Sequence, residues 1–543
     1  MNPTKRFWSL LKLYKKDVRY IYIYALFIGF INLTLPLGIQ AIVNFLQTGE
    51  YTFTWLMLVG FVLFGILVSG VLQIFQLRVL ENSQQDLFAR SALEFAYRLP
   101  KIAYIQLDKI HAPELVNRFF DTLTIQKGVP KILIDFSLAI FQIFFGIILL
   151  TIYSPYFIIL GMVWAFILWL IFRISGPRGL STSLQESKYK YQLVHWLEET
   201  ARVNRSFKIY SDYKFHLNKT DTITSKYIQA REHHFWVLLS QFRLFVGFKV
   251  IVAASLLLLG GWLVFKDQMN IGQFVAAEIV ILLIISSTEK LLSTIDIIYD
   301  VLTALDKIGF VVDLALDEDT GIASLNTEQG LSIKATEIVL GFPEEKKKFF
   351  NYLSFEILAN EKVVLSGKSG SGKSLLLQVL AGIYQIEDGE LYINEIPVAN
   401  YKKSEIYNSI GVSFAVNQLF EGTIKENILM GRDYDEKKMS NILQLLQLND
   451  YIIHQSKGID SSIESGGRRM PRSIIQKILI ARLIINEPKL LLMEDPLQFI
   501  EHEEKKKIID YIMDKNRNWT VLVVSDFYYW TEKCDRVINL SKI

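Results

Sequence analysis

KVVLSGKSGSGKSLLLQVLAG, residues 362 to 382, contains the strongest sequence motif in the second half of this chain. An apolar run of strand type leads into Gly367-Lys-Ser-Gly-Ser-Gly-Lys-Ser374, and a leucine-rich run of helix type follows it. The spacing is the complete GxxxxGKS/T pattern, and the strand–loop–helix context that the pattern requires is present. The stretch therefore predicts a P-loop domain of α/β type.

The residue types of this loop suit the binding of a nucleoside triphosphate. Glycines let backbone N–H groups curl around phosphate oxygens, and the N-terminus of the following helix adds positive potential. The lysine is expected to reach the β and γ phosphates, and the last serine to bind Mg²⁺ through its hydroxyl. The predicted nucleotide-binding residues are Gly367, Lys368, Ser369, Gly370, Ser371, Gly372, Lys373 and Ser374.

The first half of the chain is dominated by apolar runs, in a sequence that is 51% hydrophobic with a mean hydropathy of +0.28. A membrane-spanning helix needs about 20 mostly apolar residues. Buried helices of a soluble protein would show polar faces, which these runs lack. We therefore predict an all-α transmembrane domain over residues 1–313 with six spans, at about 20–46, 51–77, 132–153, 156–173, 244–265 and 271–288.

Charge bias predicts the orientation in the membrane. The segment before the first span is rich in Lys and Arg, whereas the short loops QTGE, YSPY and KDQMN are poor in them. The N-terminus is therefore expected in the cytoplasm, and an even number of spans returns the C-terminal half to the same side. Residues 314–330 form an acidic linker by composition, and residues 331–543 form the nucleotide-binding domain.

The two inner connections, at about 78–131 and 173–243, are long and have helical periodicity with charge. We place the segments 112–126 and 194–210 at their far ends. The functional interpretation is that these segments dock onto the nucleotide-binding domain, and the alternative is that they are solvated helical hairpins.

Charged residues within the spans are costly unless they are paired or hydrated. Asp135, Lys249 and Glu289 fall at similar depth, which predicts an ion pair between helices. Glu278 has no obvious partner at its level. It either faces a water-filled central cavity or forms a hydrogen bond with a neighbouring helix.

Composition excludes other classes of protein. The net charge is only +3, and no basic block interleaved with aromatic residues is present, so nucleic acid is not an expected partner. A single cysteine, Cys534, excludes an internal disulfide and a cysteine metal cluster.

Several stretches of the chain resemble the ABC transporters, and specifically the exporter half-transporters that fuse six spans to one nucleotide-binding domain. They are SGSGKSLLLQVLAGIYQIEDGELYINEIPV (369–398), LFEGTIKENILMG (419–431), ILIARLIINEPKLLLMED (478–495), TVLVVSDFYYWTEKCDRVINL (520–540) and, before the sixth span, MNIGQFVAAEIVIL (269–282). The membrane half is most similar to bacterial export and type I secretion transporters. The resemblance implies an ATPase of the bacterial inner membrane, with ATP and Mg²⁺ bound in the cytoplasm.

The resemblance also assigns roles to single positions. Phe342 stands where the family has an aromatic residue that stacks on adenine; the alternative is a core phenylalanine. Glu494 takes the place of the aspartate that holds Mg²⁺, and Asp495 that of the glutamate that polarises the attacking water. Asp526 replaces the switch histidine, and Ala415 replaces the glutamine of a loop. The family's signature segment falls on Met470, Pro471, Arg472, Ser473 and Ile474, without its glycines.

These replacements predict ATP·Mg²⁺ binding with slow or absent hydrolysis. Asp495 is one methylene shorter than glutamate, which withdraws its carboxylate by roughly 1.5 Å, and general-base catalysis requires hydrogen-bond contact. An ionised Asp526 cannot donate a hydrogen bond to the γ-phosphate. Whether the chain is an active ATPase therefore stays open at this point.

Two functions remain in competition. The first is an export half-transporter that works as a dimer, with a second copy or with a better-equipped partner. The altered signature argues against a dimer with a better-equipped partner, because it would also impair the partner's site. The alternative is a non-pumping membrane subunit whose ATP binding gates or assembles a larger secretion complex. The sequence leaves open the substrate and the participation of a periplasmic adaptor or an outer-membrane channel.

Overall fold

The computed structural model describes residues 2–48, 53–108, 110, 112–317, 319–341, 348–414 and 418–540. They form two compact units. The first comprises Met1–Ile102 and Lys109–Ala315, and the second comprises Ala103–Asp108 and Leu316–Ile543.

The first unit is entirely helical in its described part. Its helices are α1 (Pro3–Leu13), α2 (Lys15–Ile31), α3 (Thr34–Thr48), α4 (Phe53–Arg98), α6 (Ala112–Asn117), α7 (Asp121–Tyr153), α8 (Tyr156–Arg202), α9 (Asn204–Tyr210), α10 (Tyr213–Phe265) and α11 (Ile271–Asp313), while α5 (Tyr104–Leu107) belongs to the second unit.

Six helical segments in the described chain are long and apolar enough to cross a membrane, as predicted. They are Lys15–Gln47, Phe53–Lys101, Ala112–Tyr153, Tyr156–Arg202, Lys214–Phe265 and Ile271–Asp313. The expected break at YSPY is confirmed, because α7 ends at Tyr153 and α8 begins at Tyr156. Pro155 lacks the N–H that would continue the hydrogen-bond ladder there.

The long inner connections are mostly continuations of the spanning helices. α4, α8 and α10 have 46, 47 and 53 residues. At about 1.5 Å per residue each is at least roughly 70 Å long, more than twice the hydrocarbon thickness of about 30 Å. The charged stretches of the sequence therefore form rigid helical extensions.

One predicted ion pair between the spans is present. The Lys249 ammonium on α10 pairs with the Glu289 carboxylate on α11. Asp135 instead accepts a hydrogen bond from the Thr294 hydroxyl at 3.3 Å. Glu278 is exposed on α11, and its position in a water-filled cavity stays a prediction.

The second unit contains two larger sheets. Its strands are β1 (Ile333–Gly341), β2 (Lys348–Ile357), β3 (Lys362–Ser366), β4 (Asp388–Ile393), β5 (Ile396–Pro397), β6 (Ile410–Ser413), β7 (Gly422–Thr423), β8 (Ser462–Ile463), β9 (Leu490–Glu494), β10 (Thr520–Val524) and β11 (Arg536–Asn539). β2, β1, β4 and β5 form an antiparallel sheet in that order. β11, β3, β10, β9 and β6 form a parallel sheet.

The helices of the second unit cover the parallel sheet and build a helical region between β7 and β9. They are α12 (Lys373–Leu380), α13 (Lys403–Ser409), α14 (Ile424–Leu429), α15 (Glu436–Leu445), α16 (Asn449–Ile453), α17 (Arg472–Ile484), α18 (His502–Ile512) and α19 (Tyr528–Lys533).

Alternation along β9 shows why this strand is apolar throughout. Leu491 and Met493 contribute to the core beneath α14, α17 and α18. Leu490 and Leu492 contribute to the core shared with α12 and the antiparallel sheet. Successive side chains of a strand point to opposite faces, so a strand buried on both faces has no polar position. The apolar run ends where β9 reaches the edge of the sheet at Glu494.

The part of the first connection that belongs to the second unit is not the segment 112–126, whose docking stays a prediction. Residues 112–126 lie in the first unit, as α6 and the start of α7, whereas Ala103–Asp108 lie in the second unit. There the Tyr104 ring packs edge-on against the Tyr384 ring, with centroids 5.5 Å apart. The Tyr384 hydroxyl also donates a hydrogen bond of 2.6 Å to Asp108. The composition of the connection does not single out Tyr104, although its ring makes this contact with Tyr384.

The predicted linker is attached to α13 of the second unit. Asp317 forms an ion pair with Lys403, and Asp319 accepts a hydrogen bond of 2.7 Å from the Ser404 hydroxyl. The Leu325 N–H donates to the Glu405 carboxylate at 2.8 Å. The acidic composition of this segment thus provides specific contacts.

Candidate nucleotide-binding site

The loop between β3 and α12 has the backbone conformation that its glycines permit. Gly370 and Gly372 have φ angles of +79° and +87°. A Cβ atom on Gly372 would lie 2.7 Å from the Phe350 ring, so this position requires glycine both for its conformation and for space. The predicted strand–loop–helix context of the motif is therefore present in the fold.

The polar groups of the loop suit an anionic ligand. The Lys373 ammonium donates to the carbonyls of Gly367 and Lys368 at 2.6 and 3.1 Å, which folds it back over its own loop. The Ser371 hydroxyl is buried and has no hydrogen-bond partner among the described residues. A buried hydroxyl without a partner is costly, and phosphate oxygens would satisfy it.

The loop meets a carboxylate from β9. The Ser374 hydroxyl at the start of α12 donates a hydrogen bond to the Glu494 carboxylate at the end of β9. Hydroxyl and carboxylate oxygens are ligands that Mg²⁺ prefers, and Mg²⁺ needs few protein ligands when phosphates supply others. No group of three or more His, Cys, Asp or Glu residues that could hold a metal ion occurs in the described part of the chain. Ser374 and Glu494 thus fit a Mg²⁺ that is bound together with a nucleotide.

Strand pairing brings further acids to the same edge of the sheet. Val524 at the end of β10 is in register with Glu494 at the end of β9. The residues that follow these parallel strands, Asp495 and Asp526, therefore emerge side by side. The sequence could not show this adjacency, because it depends on the strand order.

Asp495 has an unusual backbone conformation and a shifted pKa. Its φ angle is +39°, and its N–H donates to the Val524 carbonyl at 2.8 Å. Partial burial raises the pKa of the Asp495 carboxyl, and the negative charges of Asp526 and Glu494 add to this effect. A hydrogen bond with Ser525 and the charge of Lys373 oppose it. The carboxyl thus lies among like charges.

Gln476 is a residue of this region that the sequence analysis missed. Its amide carbonyl accepts a hydrogen bond of 2.7 Å from the Phe499 N–H, and its NH₂ group donates to the Asp495 carbonyl at 3.4 Å. It therefore ties α17 to the loop that carries Asp495. In the sequence, only the position of Gln476, one turn after the start of α17, could have indicated this contact.

The predicted signature segment, residues 470–474, contains the start of α17, at Arg472. The Met470 N–H donates to the Gly467 carbonyl at 2.8 Å. The Arg472 guanidinium lies over the Phe499 ring, 5.1 Å from its centroid. The role of this segment in nucleotide binding stays a prediction.

The remaining predicted site residues are not all described by the structure. Phe342 and Ala415 lie outside the described residues. Asp526 is exposed, two residues after the end of β10. Lys368, Ser369 and Gly370 form the exposed outer part of the loop.

Known sequences match both units. A family model described as the ABC transporter transmembrane region matches residues 18–287, and the ABC transporter model matches residues 350–498. A putative export ATP-binding/permease protein of Rickettsia bellii is 26% identical over 242 residues, 44% of this chain and 42% of that protein. The ATP-dependent lipid A-core flippase of Burkholderia orbicola is 23% identical over 51% of this chain and 46% of that protein.

A third relative covers more of the chain. The glutathione/L-cysteine transport system ATP-binding/permease protein CydC of Escherichia coli is 22% identical over 66% of this chain and 61% of that protein. This chain thus spans about half the length of the first two relatives and 61% of the third.

A solved structure extends the similarity to the whole fold. The structure of a bacterial Atm1-family ABC exporter with ATP bound has a TM-score of 0.84 at 15% identity, and the match covers 97% of this chain and 93% of that chain. The two family models in one chain agree with the structure, which has six apolar helices and a phosphate loop at the edge of a parallel sheet. The chain is a member of the ABC transporter family with the fold of an ABC exporter, in which a transmembrane region and a nucleotide-binding domain are fused.

Proposed function

We propose that this chain is one half of a dimeric, ATP-driven membrane exporter whose own site binds ATP·Mg²⁺ but hydrolyses it slowly or not at all. One observation carries the proposal. The loop of residues 367–374 keeps the conformation and side chains that phosphate binding needs, while the residues beside it are acidic where hydrolysis needs a full-length base and a hydrogen-bond donor.

The binding half of the proposal rests on the loop. Its backbone N–H groups, the Lys373 ammonium and the N-terminus of α12 all provide positive potential for phosphate oxygens. The unpartnered Ser371 hydroxyl lies in the same loop. Ser374 and Glu494 would hold Mg²⁺, and the charge of this ion would neutralise part of the phosphate charge.

The hydrolytic half rests on Asp495 and Asp526. A carboxylate withdrawn by roughly 1.5 Å loses the 2.6–3.2 Å contact that a general base needs. A misplacement of about 1 Å can cost on the order of a hundredfold in rate. Asp526 can accept a hydrogen bond but cannot donate one when ionised, and its charge opposes that of the γ-phosphate. The short carboxylate of Asp495 and the negative charge of Asp526 would both slow the attack of water on the γ-phosphate.

Pairing with a second half-transporter completes the proposed machine. ABC exporters generally function as dimers of half-transporters, and ATP can drive closure only by binding the closed form more tightly than the open one. The Lys- and Arg-rich residues 5–19 support a cytoplasmic N-terminus and nucleotide-binding domain, and the bacterial inner membrane is proposed from the resemblance to bacterial exporters. A partner with an intact base, switch histidine and loop glutamine would supply the hydrolysis. We propose no cargo, because the named relatives act on different ones.

A non-pumping subunit that gates a larger complex is the second candidate function. The observation that favours it is the altered segment 470–474 at the start of α17, since this segment would also impair a partner's site. ATPase activity of the chain with and without candidate partners separates the two functions. Stimulated turnover supports the exporter, and ATP binding without turnover in any pairing supports the gate.

Single-turnover hydrolysis by the purified chain alone tests the central proposal. We expect ATP binding that Lys373→Ala abolishes, while Lys437→Ala, an exposed change of the same type on α15, retains it. We expect a hydrolysis rate well below the 1 to 1,000 per second of typical enzymes. A rate near one per second that disappears with Lys373→Ala would overturn the proposal.

A further inference from the structure

A cavity of about 590 Å³ lies within the first unit, between α6, α8, α10 and α11. Its volume is within the range of about 300–1,000 Å³ that small-molecule sites occupy. The nucleotide site belongs to the second unit, so this cavity is a separate feature of the fold.

The cavity is remote from the apolar parts of the helices. Lys188, Lys219 and Lys307 line it. They lie about 15 to 25 residues beyond the nearest ends of the predicted spans, which corresponds to roughly 20 to 40 Å along a helix. Headgroups extend only about 5 to 8 Å beyond the hydrocarbon on each side. A lipid headgroup is therefore out of reach, and a ligand would come from the aqueous phase.

Cations outnumber carboxylates in the lining. The charged residues that line the cavity are Arg118, Lys188, Lys219, Lys307, Glu114 and Glu199. Both carboxylates already have partners. Glu114 faces Arg118 at 3.8 Å and His195 at 3.5 Å. Glu199 accepts hydrogen bonds of 2.6 and 2.9 Å from Arg202. Lys307 also faces a carboxylate, that of Asp306 at 3.7 Å, so the charges left uncompensated within the described residues are those of Lys188 and Lys219.

Two lysines of the lining are without an ion pair in the described part of the chain. Neither Lys188 nor Lys219 has a carboxylate within ion-pair distance among the residues that the structure describes. The Lys219 ammonium lies 3.9 Å from the centroid of the Trp196 ring, which positions it without neutralising it.

Arg118 adds an unsatisfied donor. Its guanidinium lies 3.9 Å from the centroid of the Phe310 ring, and its Nε is buried without a hydrogen-bond partner in the described part of the chain. Leaving a buried donor unpaired costs about 1–3 kcal/mol, and more for a charged group. An anionic oxygen in the cavity would remove this cost.

We propose that this cavity binds a small organic polyanion from the aqueous phase, held by Arg118, Lys188 and Lys219. Phosphate or carboxylate groups match the cations. The apolar walls that Trp196 and Ile223 contribute suit a carbon skeleton or ring between those groups. A molecule bound there contacts four helices at once, so it would favour the arrangement of the extensions in which the cavity is formed.

Binding of a fluorescent polyanion to the full chain in nanodiscs tests this proposal. The probe is pyranine, a pyrene with three sulfonates, followed by fluorescence anisotropy, and inorganic tripolyphosphate is the competitor. All proteins carry Lys373→Ala, so that the phosphate loop does not contribute. The test variant is Lys188→Gln/Lys219→Gln. The control variant is Lys208→Gln/Lys226→Gln, two exposed lysines outside the lining with the same change of charge.

We expect saturable binding that tripolyphosphate displaces and that weakens as salt rises from 50 to 300 mM. The test variant should raise the Kd at least tenfold, and the control variant should change it less than twofold. Because Lys188 and Lys219 are exposed, equal thermal midpoints would show that both variants fold. Absence of saturable binding, or an equal loss in both double variants, would overturn the proposal. The nucleotide proposal is unaffected by either outcome.

Discussion

The Ser374 hydroxyl donates a hydrogen bond to the Glu494 carboxylate across 120 positions of sequence. This contact joins the start of α12 to the end of β9 and places two oxygen atoms of the kind that Mg²⁺ prefers at the phosphate loop. The nucleotide site is therefore assembled from two chain segments whose adjacency the parallel sheet determines.

Replacement of Ser374 by alanine should reduce the Mg²⁺ dependence of ATP binding. The loss of one ligand to a charged centre corresponds to about 1.5–3 kcal/mol, or roughly 10- to 100-fold in affinity. The measurement is ATP affinity with Mg²⁺ and with EDTA. Ser440→Ala, the same change at an exposed position of α15, is the control. An unchanged ratio of the two affinities in Ser374→Ala would argue against this role.

Restoring the base and the donor should increase hydrolysis. The variant Asp495→Glu/Asp526→His extends the carboxylate and replaces an anion with a hydrogen-bond donor, so we expect a single-turnover rate about 10- to 100-fold higher. Asp433→Glu/Asp450→His makes the same changes at exposed positions away from the site and should have no effect. A restored variant that binds ATP but hydrolyses it no faster would refute this explanation.

Two adjacent glycines before α17 should differ in their tolerance of alanine. Gly466 and Gly467 have φ angles of +69° and +63°, so an alanine at either costs about 1–2 kcal/mol. A Cβ on Gly467 would also lie 3.0 Å from the Ile475 Cδ1 atom, whereas Gly466 has open space. Gly467→Ala should therefore lower the free energy of unfolding by an additional roughly 1–3 kcal/mol and give the lower thermal midpoint. Equal midpoints would contradict the packing of Ile475.

Because Lys362 is buried, we expect the free energy of unfolding to increase at alkaline pH. Its ammonium donates to the carbonyls of Trp519 and Arg517 at 2.6 and 3.3 Å, and burial lowers its pKa to about 8 from an ordinary 10.5. Between these values the unfolded chain binds the proton and the folded chain does not. Stability therefore rises with pH across this window, by at most about 3 kcal/mol.

The measurement is the difference in thermal midpoint between the wild-type chain and Lys362→Met from pH 7.5 to 10. Comparison with this variant cancels the titration of other groups. We expect the difference to grow above pH 8, and a constant or shrinking difference would be inconsistent with the lowered pKa.

Exchange of the charges of Lys249 and Glu289 should preserve the contact between α10 and α11. Lys249→Glu alone places two carboxylates together and should cost on the order of 1 kcal/mol. Lys249→Glu/Glu289→Lys should recover most of the lost thermal stability in detergent. Lys266→Glu, the same change just after α10, should have little effect. Failure of the exchange to recover stability would indicate that the pair contributes through its packing alone.

The six spans and the conformation of the phosphate loop follow from the local sequence. An apolar run of about 20 residues must be helical in a bilayer because no water can bond its backbone. The loop conformation at Gly370 and Gly372 follows from the allowed φ angles of glycine. Both are properties of neighbouring residues, so they could be predicted without any knowledge of tertiary contacts.

Only the tertiary structure decided which distant residues meet. It placed Ala103–Asp108, and not residues 112–126, in the unit of Tyr384, and it identified Gln476 as the link between α17 and the Asp495 loop. It also brought Lys188 of α8 and Lys219 of α10, which come from distant parts of the sequence, to the lining of one cavity. Such contacts depend on strand order and helix packing, in which a small rotation changes every partner, so the local pattern of the chain does not specify them.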